Sequence, residues 1–260
     1  IDEALTWWED TLAAQQRVHS VQFQTDYQYT DNPVATAVEP IAEHSNVYTT
    51  WVNDFLDEAG ANSSDGISAD MRKFNDQQRT TQGTNWGFTI FVVNDENDAD
   101  GMFAEGGSFR RAFAFSGGRY LVVPAGRPAS TIAHEMGHIF WARDEYSGAG
   151  SYLQKRGYYD AQNLNASNNP EVGFSQQDSI MASGTLLANA YANHTSSDSS
   201  LKMIGWQDSD GDGVFDVLDV PHSIIGTGYI DQVGGDFNFT GTAKVGLLLN
   251  RNSSGFQSDM

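Results

Sequence analysis

The spacing of apolar positions changes several times along this chain, and each change marks an element. From Asp2 to Gln15 the composition favours helix, with Trp7 and Trp8 as its bulkiest side chains. Val18 to Tyr29 alternates, setting Val21, Phe23 and Tyr27 on one side, which predicts a strand that the Asp31 to Pro40 segment breaks. Between Ile41 and Ala59, Val47, Trp51, Phe55 and Leu56 recur at helical spacing until Gly60. Trp86 to Val93 reads as a buried strand, and Asn94 to Gly101 as an acidic loop. Phe109 to Phe115 alternates, Ser116-Gly117-Gly118 turns, and Arg119 to Val123 runs back to Pro124, which predicts a hairpin. It feeds a second helix from Pro128 to about Ala142, with Ser130 or Thr131 offering a capping oxygen.

Beyond Tyr146 the chain turns to Gly, Ser, Asn and Tyr, so the region to about Trp206 is expected to be mostly loop. After Asp219, Asp236 to Thr240 and Lys244 to Leu249 alternate again, in a tail too short to bury a core of its own. The expected fold class is mixed α/β, of the α+β kind. The expected organisation is a main domain over 1–206, an acidic loop over 207–220 and a β-rich segment over 221–260, the start of a truncated module.

Composition narrows the partners. The 260 residues carry a formal net charge of −20, which disfavours nucleic acid and anionic membrane surfaces and favours cations. Hydrophobic residues make up 39% and aromatic residues 12%, enough for one substantial core. Cysteine is absent, so stability must come from packing and bound ions rather than disulfides. No stretch has the apolar length to span a bilayer, and the start at Ile1 reads as a mature form or an excised fragment.

His134-Glu135-Met136-Gly137-His138 is the densest piece of chemistry. On a helix, residues four apart share a face, so both imidazoles reach one ion while Glu135 stands beside it. That is the arrangement of a zinc hydrolase, in which Glu135 is the general base. Such sites take three protein ligands and leave one position for water, and Asp144 and Glu145 follow closely enough to supply the third. Glu171, farther along, is another carboxylate in range of that role, as in thermolysin-like sites. Tyr146 and Tyr191 are candidate donors to a developing oxyanion. His19, His44, His194 and His222 lack comparable company.

With Ser179-Ile180-Met181-Ala182 downstream, the chain resembles the metzincin metallopeptidases, whose pattern runs His-Glu-x-x-His-x-x-Gly-x-x-His with Asp last in some members. The resemblance implies a mixed twisted sheet, a long backing helix, an active-site helix, Asp144 as third zinc ligand and Met181 in the tight turn beneath the metal. Asp144-Glu145-Tyr146 is also similar to bacterial immunoglobulin-A-type metallopeptidases. One position departs: Trp141 stands where the pattern has glycine, a residue that leaves the helix through positive φ. The expectation is therefore a different helix exit or another route for the third ligand, with Glu145 as substitute.

Asp208 to Asp219 sets carboxylates at loop positions one, three, five, nine and twelve (Asp208, Asp210, Asp212, Asp216, Asp219), with Gly213 at six and the Val214 carbonyl at seven. The spacing matches a calcium loop and resembles thrombospondin type 3 repeats and dockerins, which implies a structural Ca2+. The expected function is a secreted zinc endopeptidase, a monomer acting on protein or peptide. The alternatives are an inactive calcium-stabilised binding module and a zinc hydrolase of a non-peptide substrate.

Overall fold

The computed structural model describes residues 1–117 and 119–219, together with the pairing of the short strands Ser223–Ile224 and Leu249–Asn250. The chain divides into two compact units, Ile1–Trp206 and Gln207–Met260. The fold is mixed, with small sheets and several helices.

The first unit contains helices α1 (Asp2–Ala14), α2 (Gln28–Asp31), α3 (Tyr48–Glu58), α4 (Ile67–Gln82), α5 (Ala129–Ile139), α6 (Gly184–Ala192) and α7 (Asp198–Met203). Its strands are β1 (Thr89–Val93), β2 (Phe113–Phe115), β3 (Tyr120–Pro124) and the two-residue pair β4 (Lys155–Arg156) and β5 (Ala161–Gln162). β3 lies between β1, which it pairs in parallel, and β2, which it pairs antiparallel, so β2 is an edge.

Every residue of β3 is buried, because the sheet is covered on both faces. Alternation divides the strand between two apolar layers. Leu121 and Val123 pack with Trp7 and Trp8 of α1 and with Ile132, Met136 and Ile139 of α5. Tyr120 and Val122 face Trp51, Phe55 and Leu56 of α3 and Met71 and Phe74 of α4. Trp8 donates its Nε1–H to the Ala133 carbonyl at 3.1 Å, a buried bond that fixes α1 against α5. The site helix thus rests on a rigid base.

Several expectations change. Val18 to Tyr29 is not a strand: Val18 is 72% exposed, only Phe23 and Tyr29 reach a core, each a different one, and no neighbouring strand lies alongside to pair its backbone among the described residues. Its last residues form the short α2 instead. The helix expected from Ile41 starts at Tyr48, after 3-10 turns at Pro40–Ala42 and Ser45–Val47. α4 was not anticipated, since Ile67, Met71 and Phe74 are its few apolar anchors in an otherwise polar run. α5 begins at Ala129 with Pro128 as N-cap, and neither Ser130 nor Thr131 caps it. The loop expected after Tyr146 carries α6, α7 and the β4–β5 pair as well.

In the second unit, β6 (Ser223–Ile224) pairs antiparallel with β7 (Leu249–Asn250). The alternation from Asp236 to Leu248, and the effect expected of Pro221, lie outside the described residues, as does Gly118 in the hairpin turn. Among the described residues no helix is long and apolar enough to cross a membrane.

Candidate metal centre

α5 presents His134 and His138 one turn apart, their ring centroids 4.9 Å from each other. Each ring is oriented by its other nitrogen. His134 Nδ1 lies 2.7 Å from the Ile180 carbonyl, and His138 Nδ1 3.0 Å from that of Ala142. A carbonyl only accepts, so both rings carry their proton on Nδ1 and turn a lone pair outward at Nε2. The two Nε2 atoms sit 3.1 and 3.2 Å from one oxygen of Asp144.

That convergence brings together donors of one kind. Asp144 Oδ1 is buried, and with both Nε2 atoms unprotonated it has no hydrogen-bond donor among the described residues. Three lone-pair atoms facing one point repel unless a cation lies among them. Two ligands each about 2.0–2.1 Å from a tetrahedral ion stand about 3.3 Å apart, close to the spacings found. The donor set of two imidazoles and a carboxylate fits a divalent ion of the zinc type.

The exit of α5 delivers Asp144. Trp141 N–H bonds the His138 carbonyl at 3.0 Å and Ala142 N–H that of Gly137 at 2.8 Å, the paired bonds of a Schellman ending. Trp141 itself adopts φ +83, the conformation expected only of glycine there. The expected change of exit is therefore corrected: the tryptophan makes the same turn. Its ring is held by the Arg156 guanidinium, 5.4 Å from its centroid, and this contact offsets part of the backbone strain. Beyond it, the Asp144 carbonyl accepts from Asn163 Nδ2 at 2.8 Å. Gly150 passes so close that a Cβ would lie 1.6 Å from that carbonyl oxygen.

Glu145 points elsewhere. It is fully buried, accepts from the hydroxyls of Ser197 and Ser200 on one oxygen and from Asn165 Nδ2 at 2.7 Å on the other. Its carboxylate belongs to a polar hub that ties the Asp144 segment to the start of α7, and it is not among the converging donors. Sequence reasoning missed that hub, although Ser196, Ser197, Ser199 and Ser200 next to an acidic residue were visible. Glu171 is exposed and takes no part in the convergence.

Met181 lies fully buried beneath the helix. A Cβ on Gly137 would come within 2.3 Å of its sulfur, so the glycine makes room for the methionine. The Ser179–Ala182 turn, closed by Ala182 N–H on the Ser179 carbonyl at 3.0 Å, serves both sides of the site. Its Ile180 carbonyl orients His134, and its Met181 carbonyl accepts the Glu145 N–H at 2.9 Å.

Glu135 is buried with one oxygen unpartnered. Burial pushes its pKa up to about 7, with His134 pulling it down and the Asp144 charge adding to the rise. Burial works in the same direction on Asp144, but when the imidazoles carry a second proton, on Nε2, their hydrogen bonds and charges outweigh it and hold that carboxyl well below the usual range. Of the two tyrosines, Tyr146 stands at the site, its ring 6.1 Å from His134. Burial, then the Asp144 charge, raises its pKa, so the hydroxyl stays protonated and able to donate. Tyr191 instead donates to Glu3 at 2.8 Å and stacks on Trp7.

In the second unit, Asp208, Asp210 and Asp212 bring one oxygen each into a common group. Asp216 is engaged by Ser209, whose N–H and hydroxyl reach it at 2.7 and 2.6 Å. Asp219 feels the charges of Asp212 first, then burial, then Asp210, Asp216 and Asp208, all raising its pKa. Val214 donates its N–H to Asp212 at 2.8 Å. No protein-family model, curated protein or solved structure matches the chain.

Proposed function

We propose that this protein is a secreted zinc-dependent endopeptidase with a metzincin-like catalytic domain, and that Asp208 to Asp219 holds a structural calcium ion. The observation that carries the reading is the convergence of His134 Nε2, His138 Nε2 and one Asp144 oxygen beside the unpartnered oxygen of Glu135. The Schellman exit at Trp141 and the buried Met181 beneath the helix support the metzincin-like assignment. A cysteine-free, acidic chain with an Asp-rich loop of the extracellular calcium type supports secretion.

His134, His138 and Asp144 would hold the zinc, the two rings oriented by the Ile180 and Ala142 carbonyls and the Asp144 main chain held by the Asn163 side chain. When bound, zinc supplies Lewis acidity, polarising a substrate carbonyl and lowering the pKa of water toward neutrality. Glu135 accepts the proton of the attacking water on its free oxygen and returns it to the departing amine. A group with a pKa near neutrality is suited to both transfers. Tyr146 donates a hydrogen bond to the carbonyl oxygen as charge builds on it. The substrate enters as an extended chain along β2, whose outer backbone groups are free to pair among the described residues.

The test is hydrolysis of denatured casein by the zinc-loaded chain and by Glu135→Gln. The variant should keep one zinc per chain and lose at least about a hundredfold in rate. Equal rates for the two would refute the reading.

A further inference from the structure

Arginine is scarce in this acidic chain, yet three of its arginines gather beside the candidate metal centre. Arg156 donates to the Ser116 hydroxyl, and Arg119 donates its Nε–H to the Ser116 carbonyl at 3.2 Å, so both guanidiniums reach one residue. Ser116 follows directly on the edge strand β2. Arg156 also lies over Trp141, and Gly117 approaches that ring so closely that a Cβ would stand 2.8 Å from it. Arg143 sits between Trp141 and Asp144 and has a buried Nε without a partner. The cluster therefore spans the gap between the end of the edge strand and the third ligand.

Like charges are not brought together without an electrostatic cost. Among the described residues Arg119, Arg143 and Arg156 make no ion pair, whereas Arg79 and Arg110 each find a carboxylate. Burial first, then the charges of Arg143 and Arg119, weaken the hold of Arg156 on its proton. The acid that opposes them is Asp144, which is already committed to two imidazoles. A ligand carboxylate would relieve this repulsion and satisfy the free donors.

We propose that Arg119, Arg143 and Arg156 form a subsite for a carboxylate side chain of the peptide, so that the enzyme selects Asp or Glu close to the cleaved bond. This rests on the peptidase reading for its position along a substrate, though the recognition itself needs no turnover. The net charge of −20 opposes long polyanions, while one carboxylate on an extended chain meets only the local field. Trp141 lies against the guanidinium of Arg156, whose centre is 5.4 Å from its ring centroid, and limits how that side chain can swing.

The experiment measures binding of labelled eight-residue peptides to the 260-residue chain by fluorescence anisotropy, with chelator present so that nothing is cleaved. A neutral parent peptide is compared with versions bearing Asp, Asn or Lys at each position in turn. Asp at one or two positions should bind about tenfold tighter than Asn, Lys should bind weaker, and the difference should shrink with added salt. In Arg143→Gln and Arg156→Gln the Asp preference should vanish. Equal affinities of the wild-type chain for all three peptides would overturn the proposal, as would a preference kept in both variants, and the wild-type comparison stands even if a variant misfolds. A zinc-loaded chain that cleaves nothing would sink the peptidase reading while leaving the Asp preference in place.

Discussion

Replacing Trp141 by glycine and, separately, by alanine isolates the strain at the exit of α5. Its φ of +83 lies in the left-handed region, which costs a residue with a Cβ about 1–2 kcal/mol and glycine almost nothing. Both variants lose the same ring contacts with Arg156 and Gly117, so those losses cancel in the comparison. Glycine has the freer unfolded chain, which works against it by about 0.4–1 kcal/mol. Trp141→Gly should therefore be more stable than Trp141→Ala by roughly 0.5–1 kcal/mol, the reverse of the order at an ordinary helical position, where alanine leads by about 1 kcal/mol. Urea unfolding in chelator, with equal slopes for the two variants, reads the difference directly. Alanine equal to or better than glycine would refute the left-handed exit, and with it the path that brings Asp144 to the imidazoles.

Four further outcomes follow from the site. In the metal-free protein, Glu135 has a folded pKa of about 7 against an ordinary 4.5, so its contribution is fully present below about pH 4.5 and lost as pH rises through 7. Glu135→Gln should thus gain about 2–4 kcal/mol on wild type between pH 4 and pH 8, and parallel stability curves from denaturant titrations would contradict it. Glu145→Ala should unfold at clearly lower urea, by about 2–4 kcal/mol, because several buried donors lose their acceptor. Asp144→Ala should instead abolish tight zinc binding while leaving a folded chain, so similar zinc affinity in Asp144→Ala and wild type would exclude it as a ligand. Gly137→Ala should lose about 1–3 kcal/mol in thermal or urea melts through its clash with Met181, and an unchanged midpoint would mean that the methionine is not packed there.

Much of the first unit could be read from apolar spacing, because strong patterns coincide with burial. The helix of Trp7 and Trp8, the Tyr48–Glu58 helix and the hairpin ahead of α5 are cases where the pattern meets a partner layer. Val18 to Tyr29 has the alternation but no adjacent strand among the described residues, and period alone cannot supply one. α4 has the partner but a weak pattern, since three apolar side chains are enough when α3 and the sheet cover them. At the site, the pairing of His134 and His138 was legible because helical geometry dictates it, whereas Asp144 lies past the end of α5 and was set ahead of Glu145 by the metzincin-like pattern. The role of Glu145 was not, for it depends on Ser197, Ser200 and Asn165, which only the folded chain brings together. Trp141 misled because a local rule against positive φ is overridden by Arg156 and the Schellman bonds.

Zinc-edge X-ray absorption on the zinc-loaded chain tests the centre most directly. One ion per chain is expected, with two imidazole nitrogens and two oxygens at about 2.0–2.1 Å, and Asp144→Ala should retain no zinc to give that signal. A six-oxygen shell without imidazole signal, or no zinc retained after gel filtration, would contradict it.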